Sequence, residues 1–151
     1  MTRPLRALLL SALLVAGGAS AASAMHEHKG VHHLAIQVNV NDPQAMNLAL
    51  NNAANATGYY TGKGEQVEIE IVAYGPGLHM LRDDTSPVKD RLKSFRQGMP
   101  NVAFVACGNT RAGMQKAEGK EIPLVAEATE VPAGVVRLME LQEKGWPYIR
   151  P

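Results

Sequence analysis

Val102-Ala103-Phe104-Val105-Ala106-Cys107-Gly108-Asn109-Thr110 is the stretch whose reading decides the fold. Five apolar residues in succession, with no polar face, read as a central strand covered on both sides, as in a parallel sheet. The run breaks at Gly108 into Thr110–Glu118, where Met114 and Ala117 fall at helical spacing and are expected to face inward. Cys107, the one cysteine of 151 residues, stands at this strand-to-helix junction. A thiol there meets the positive end of a helix dipole and a row of unpaired backbone N–H groups, both of which favour the thiolate.

The same alternation extends outward in both directions. Val31 to Val40 puts Leu34, Ile36, Val38 and Val40 on one face of a strand. Asp42 then caps a helix that carries Pro43 in its first turn, a stripe of Met46, Ala49, Leu50 and Ala53, and Gly58 as its stop. Gln66 to Tyr74 sets Val67, Ile69, Ile71 and Ala73 against Glu68 and Glu70, which predicts a strand with one exposed face at a sheet edge. Gly75-Pro76-Gly77-Leu78-His79-Met80 reads as a loop. Ser86-Pro87 opens a helix with Val88, Leu92 and Phe95 inward and Gly98 at its end. Beyond Cys107, a weak strand is expected at Leu124–Ala126. A helix opened by Pro132 follows, with Val135, Leu138 and Met139 inward and Gly145 as its close, and Trp146–Ile149 makes a short last strand. Five strands alternating with four helices predict an α/β fold with a mostly parallel five-stranded sheet, right-handed crossovers and helices on both faces. Ligands and chemistry gather beyond the carboxyl ends of such strands, so Cys107 and the Gly75–Met80 loop are expected to share a crevice.

The N-terminus reads as a delivery signal. Arg3 and Arg6 precede an apolar stretch from Ala7 to Ala16 interrupted only by Ser11, and Ala22-Ser23-Ala24 fits a small-residue cleavage site. Residues 1–24 are therefore expected to be a secretory signal peptide and residues 25–151 a single mature domain in a bacterial periplasm, with no membrane span after cleavage. Without Arg3 and Arg6, 13 basic residues face 14 acidic ones, a formal charge of −1 that gives no case for nucleic-acid binding. A single cysteine makes no internal disulfide, and a lone thiol in an oxidising compartment is buried, paired with another molecule, or kept for its reactivity.

Four stretches in this order make the chain resemble the DsrE/DsrF-like family of sulfur-relay proteins: Val38-Asn39 through Asn51-Asn52-Ala53, Tyr74-Gly75-Pro76-Gly77-Leu78, Phe104 to Thr110, and Val131-Pro132-Ala133-Gly134-Val135 through Gly145-Trp146-Pro147-Tyr148-Ile149. The resemblance implies a flavodoxin-like three-layer sandwich that assembles as a homotrimer or homohexamer. It also implies that Cys107 matches the position where members carry sulfur as a persulfide for transfer to a partner. Family members of this kind work inside the cell with dedicated subunits, whereas this chain carries an export signal, so its sulfur donor and thiol acceptor are unidentified.

Each candidate residue has a functional and a structural reading. Cys107 is either a nucleophile that takes sulfane sulfur, supported by Gly108 and by the N–H groups near Asn109 and Thr110, or a small core residue. His79, in the glycine loop, either assists thiol ionisation or is an exposed loop histidine. Gly75 and Gly77 form a tight turn and lack the spacing of a nucleotide-binding loop, so no cofactor is expected. His26, His28, His32 and His33 crowd the mature N-terminus, yet no carboxylate or cysteine completes a closed metal site, and a solvated terminus is expected. Arg82, Asp83 and Asp84 are expected to form a solvated rim. Met46, Met114 and Met139, on apolar helix faces, are expected to fill the core, and Trp146 and Tyr148 to pack in a terminal strand. These readings favour an exported persulfide carrier or sulfurtransferase. The alternatives are a non-catalytic ligand-binding or assembly module and a periplasmic metal-binding protein using the N-terminal histidines.

Overall fold

The structure, a computed structural model, describes residues 30–151. The expected signal peptide, His26 and His28 lie outside the described residues. The elements run β1 (His32–Val38), α1 (Pro43–Gly62), β2 (Val67–Ala73), a 3-10 helix (Gly75–Leu81), α2 (Lys89–Gly98), β3 (Val102–Cys107), α3 (Gly108–Glu118), β4 (Ala128–Val131), α4 (Gly134–Glu143) and β5 (Tyr148–Ile149). All four strand pairings are parallel, in the order β4-β3-β2-β1-β5. The chain therefore steps three times in one direction from β1 to β4 and then crosses back to β5. Right-handed crossovers place connections that step the same way on the same face, and a reversed step on the other. The core obeys this rule. Twenty buried residues join the sheet to α1, the 3-10 helix and α2, with Met114 of α3 against them. On the opposite face α4 packs through a cluster of only five buried residues, among them Leu138 and Leu141.

Two expectations about the strands are corrected by this asymmetry. β2 is the centre of the sheet and not its edge, with β3 interior beside it. The acidic face of β2 arises because α4 covers only part of its side of the sheet. Glu70 lies beneath α4 and pairs with Arg137, whereas Glu68 is exposed and stands 3.7 Å from His33. The strand expected at Leu124–Ala126 forms four residues later. Leu124 and Val125 are tied instead to the end of the 3-10 helix, through an antiparallel bridge between Arg82 and Leu124 and a 2.9 Å bond from Val125 N–H to the Leu81 carbonyl.

The helices show the reasons for their boundaries. Asp42 caps α1 by accepting from Gln44 N–H at 2.9 Å, and Pro43 occupies the first turn, as the sequence predicts. The helix does not stop at Gly58. A glycine in a helix costs only about 1 kcal/mol, and beyond it Tyr60 stacks on His32 with ring centroids 3.9 Å apart. The Gly75–Met80 stretch is a 3-10 helix and not an irregular loop. α2 begins at Lys89 because Ser86 is used in the preceding turn, its hydroxyl donating to the Met80 carbonyl. α4 begins at Gly134, after Pro132, with Ala133 at the cap. Its inward stripe is Leu138 and Leu141, while Val135, Val136 and Met139 are exposed, so neither Val135 nor Met139 fills the core. Ala117 is exposed as well, whereas Met46 is fully buried.

Arg82 is the largest departure from the sequence reading, since its side chain is 1% exposed. It donates to both oxygens of Asp84, at 2.9 and 2.8 Å, and to both oxygens of Glu118 at the end of α3, with its Nη1 3.8 Å from Met114 Sδ. Its hydrogen bonds hold the Asp84 carboxyl far below the usual range and lower that of Glu118, with Lys120 contributing to both. A depressed carboxylate pKa adds stability above the unfolded-state value and loses it as pH falls toward the folded-state value. The melting temperature is thus expected to fall as pH drops below about 4. Asp84→Asn should melt lower at neutral pH and show a shallower loss across that acid window in calorimetry. An unchanged slope would mean the Arg82 cluster contributes no net stability.

Candidate functional site

β3 ends at Cys107, and the cysteine itself caps α3. Its sulfur accepts from Thr110 N–H at 3.4 Å, the position where a capping oxygen normally satisfies an orphan donor. Cys107 is 5% exposed. Burial pushes its pKa up, but the Thr110 hydroxyl and the N–H groups of Gly134, Thr110 and Asn109 outweigh that, so the thiol is held below its ordinary value. Two helix N-termini meet at Cys107: α3, which follows it directly and bonds the sulfur, and α4, whose Gly134 packs against it.

Gly134 makes this convergence possible. A Cβ on it would lie 3.1 Å from Cys107 Cβ, 3.1 Å from Tyr74 Cβ and 3.4 Å from Val72 Cγ1. A side chain there would force these neighbours or the start of α4 to give by a few tenths of an ångström. Gly108 is similarly close, with a Cβ there 3.1 Å from the Val131 carbonyl oxygen and 3.2 Å from Glu130 Oε1.

The two strand ends are brought together, as parallel topology requires. Gly75 N–H donates to Thr110 Oγ1 at 3.0 Å, joining the segment after β2 to the first turn of α3. Gly75 has φ +52°, a conformation glycine adopts without strain. Gly77 is needed for close approach, since a Cβ there would stand 2.6 Å from the Val38 carbonyl carbon at the end of β1 and closer still to its oxygen. His79 is half-buried and its Nδ1 lies 2.8 Å from Thr85 Oγ1, and no hydrogen bond joins it to Cys107.

Sequence reading missed the polar row beside the cysteine. Tyr74, just past the end of β2, has its Cβ near Gly134 as Cys107 does, Gln37 lies on β1, and Tyr148 Oη donates to Gln37 Oε1 at 2.6 Å from β5. Gln37 is only 8% exposed. Burial is the main reason the Tyr74 phenol is held above its ordinary pKa, with the nearby Tyr148 and Cys107 adding to it and Arg150 and Gln37 opposing. A signal existed in β1. His33, Ala35 and Gln37 alternate with Leu34, Ile36 and Val38, so the α4-facing side of this strand is polar or small where a two-sided core would be apolar.

The histidines at the start of β1 serve other ends. His32 and His33 are adjacent on a strand and so face opposite sides. The first pairs with Glu65 at 3.1 Å, and the second packs against Trp146 with ring centroids 4.6 Å apart. Among the described residues no group of three or more His, Cys, Asp or Glu is placed to hold a metal ion. A cleft of about 480 Å³ opens at the amino ends of β1 and β2, the opposite end of the sheet from Cys107. There Asn101 Nδ2 is taken up by Thr57 Oγ1 and the Val67 carbonyl at 2.9 and 3.0 Å. Convergent donors, and not volume, locate the candidate site at Cys107.

Residues 32–151 match the model of the DsrE/DsrF-like family. The chain belongs to that family. Membership points to a role related to sulfur relay. The fold of this DsrE/DsrF-like chain is also similar to a solved structure titled as a protein of unknown function, MTH1491, from Methanobacterium thermoautotrophicum. The two are 29% identical with a TM-score of 0.67, over 80% of this chain and 99% of that one. Comparison with curated protein sequences finds no match.

Two substitutions test this geometry. Thr110→Val keeps the backbone donor but removes the hydroxyl, so the thiol pKa should rise, as read from thiolate ultraviolet absorbance against pH. It also orphans Gly75 N–H, and denaturant unfolding should show a loss of about 1–2 kcal/mol. Gly77→Ala should cost roughly 3 kcal/mol or more, since backbone at the end of β1 must move. A stable, soluble Gly77→Ala protein with an unaltered melting temperature would contradict the close approach described.

Proposed function

We propose that this protein carries sulfane sulfur as a persulfide on Cys107 and passes it to a partner thiol. The observation that supports this best is the hydrogen bonding of the Cys107 sulfur by the start of α3, with Gly134 of α4 facing it from the other side. The same donors that favour a thiolate favour a negative persulfide. In the loading step the Cys107 thiolate attacks the outer sulfur of a donor such as thiosulfate. One S–S bond forms, the donor's S–S bond breaks, and sulfite leaves with the electron pair. In the unloading step an acceptor thiolate attacks the outer sulfur and Cys107 leaves as thiolate. No separate oxidant is needed. Asn109 and Thr110 supply donors, Gly108 lets β4 approach, and Gly75 and Gly77 fix the segment that holds Thr110.

Export and assembly belong to the same proposal. The charged start, apolar stretch and Ala22-Ser23-Ala24 site support cleavage after Ala24 and a periplasmic location. Among the described residues no helix is long and apolar enough to cross a membrane. Val135, Val136 and Met139, left exposed on α4, support assembly into a homotrimer or homohexamer through apolar surface.

One observation favours a second reading. The thiol is nearly enclosed, as a cysteine that merely packs would be, and the protein would then be a non-catalytic binding or assembly module. Intact mass of the mature protein after brief anaerobic exposure to polysulfide or thiosulfate separates the two. The carrier gains one sulfur atom that a reducing thiol removes, and Cys107→Ser gains none. Absence of an adduct with either donor would sink the carrier reading.

A further inference from the structure

We propose that Arg137 and Glu70 are positioning residues for the Cys107 thiolate, clamping α4 so that its N-terminus stays packed against Cys107 at Gly134. The inference rests on the reading of Cys107 as a nucleophile. Arg137 is one turn along α4 from Gly134, and its N–H bonds the Ala133 carbonyl at 3.0 Å, so it sits in the turn that reaches the site. Its guanidinium meets Glu70 of β2 in a two-pronged pair, Nε to Oε2 at 2.9 Å and Nη2 to Oε1. The Glu70 side chain is 13% exposed and that of Arg137 27%. Glu70 and Val72 on β2, and Tyr74 just past it, alternate onto the α4 side, so the clamp and the wall of the site share one strand face.

The need for a clamp follows from the packing. The α4 face holds five buried residues against twenty on the other. Val135, Val136 and Met139 face outward, so apolar burial alone seats α4 weakly. Gly134 has no side chain to anchor the helix at the very point where it approaches the sulfur. A bidentate Arg–carboxylate pair supplies both direction and distance there.

Other groups around the thiol do not duplicate this effect. Burial holds the Tyr74 phenol above its ordinary pKa, with Tyr148 and Arg150 acting on it from the β5 end. Glu130 of β4 stands near Gly108 with its charge paired to Arg111 of α3 at 3.0 Å.

The decisive variant is Glu70→Gln. Removing a negative charge from the neighbourhood would, by field alone, favour the thiolate and lower the pKa. Releasing the clamp moves the start of α4, the positive end of its dipole, away from Cys107 and raises it. The test measures the pH profile of Cys107 alkylation in the full-length mature protein. Glu70→Gln and Arg137→Gln should both move the midpoint upward, with the rate at neutral pH falling roughly threefold to tenfold. The high-pH plateau should hold or rise, because a looser α4 exposes the sulfur. Arg137→Lys should recover part of the shift, and Glu143→Gln, exposed at the far end of α4, should leave the profile unchanged. Circular dichroism on each variant confirms that the fold is retained. A midpoint that stays in place or moves down in folded Glu70→Gln overturns the proposal. Sulfur loading of the unmutated protein, followed by mass, is a separate readout. Failure there rejects the carrier while the alkylation profile still decides the clamp.

Discussion

The hydrogen bond from Thr110 N–H to the Cys107 sulfur ties the backbone requirement of a helix to the chemistry of a thiol. The first turn of α3 leaves orphan donors that need an acceptor, and the sulfur provides one. A sulfur that accepts is stabilised further when it becomes negative, so folding the helix and ionising the thiol reinforce each other. The direction of the crossovers then brings α4 to the same residue. Three steps one way fill one face, and the single return step to β5 sends α4 to the other, with its N-terminus at the carboxyl end of β3.

That division of labour separates stability from reactivity. The face covered by α1, α2 and the 3-10 helix is apolar, and its twenty buried residues make up most of the core. The α4 face can therefore hold a buried glutamine, a tyrosine and an acid–arginine pair where a minimal protein of this size would place leucine and valine. Arg82 performs a related task from the well-packed side. Reaching Glu118, it fastens the far end of α3 while Gly75 holds the near end through Thr110. The segment after β2 thus grips the helix at both ends.

Wherever one local signal governed the outcome, the sequence was readable. Asp42-Pro43 marks the start of α1, the unbroken Val102–Ala106 run marks an interior strand, and the Gly75 and Cys107 strand ends meet as parallel topology requires. Misreadings arose where a tertiary partner reversed a local signal. Glu68 and Glu70 made β2 look like an edge, yet Glu70 is accommodated by Arg137, 67 residues away in sequence. Arg82 next to two aspartates looked solvated, and Glu118 from α3 made its burial possible. Val135 and Met139 have the spacing of a core stripe, but the stripe that packs is Leu138 and Leu141, because Gly134 sets the rotation of α4 by its seat on Cys107. The donors at the sulfur were legible from Asn109 and Thr110. Gly134 was not, since nothing local distinguishes a glycine that admits close approach from one that simply follows a proline turn.

The choice of cysteine at this cap is itself an argument for sulfur chemistry. If the position served packing and capping alone, serine, threonine, aspartate or asparagine would serve it better, because an oxygen acceptor is stronger and these residues stabilise a helix start by about 1 kcal/mol over alanine. The sulfur accepts at 3.4 Å, a long and weak bond by comparison. The surroundings are in other respects tightly specified, with glycines at 108 and 134 whose added Cβ would crowd neighbours on β2, β3 and β4. A locally suboptimal residue in a closely fitted environment is the pattern expected where function and stability compete. Here the atom that weakens the cap is also the only side-chain atom in the ring of donors able to form a bond to another sulfur.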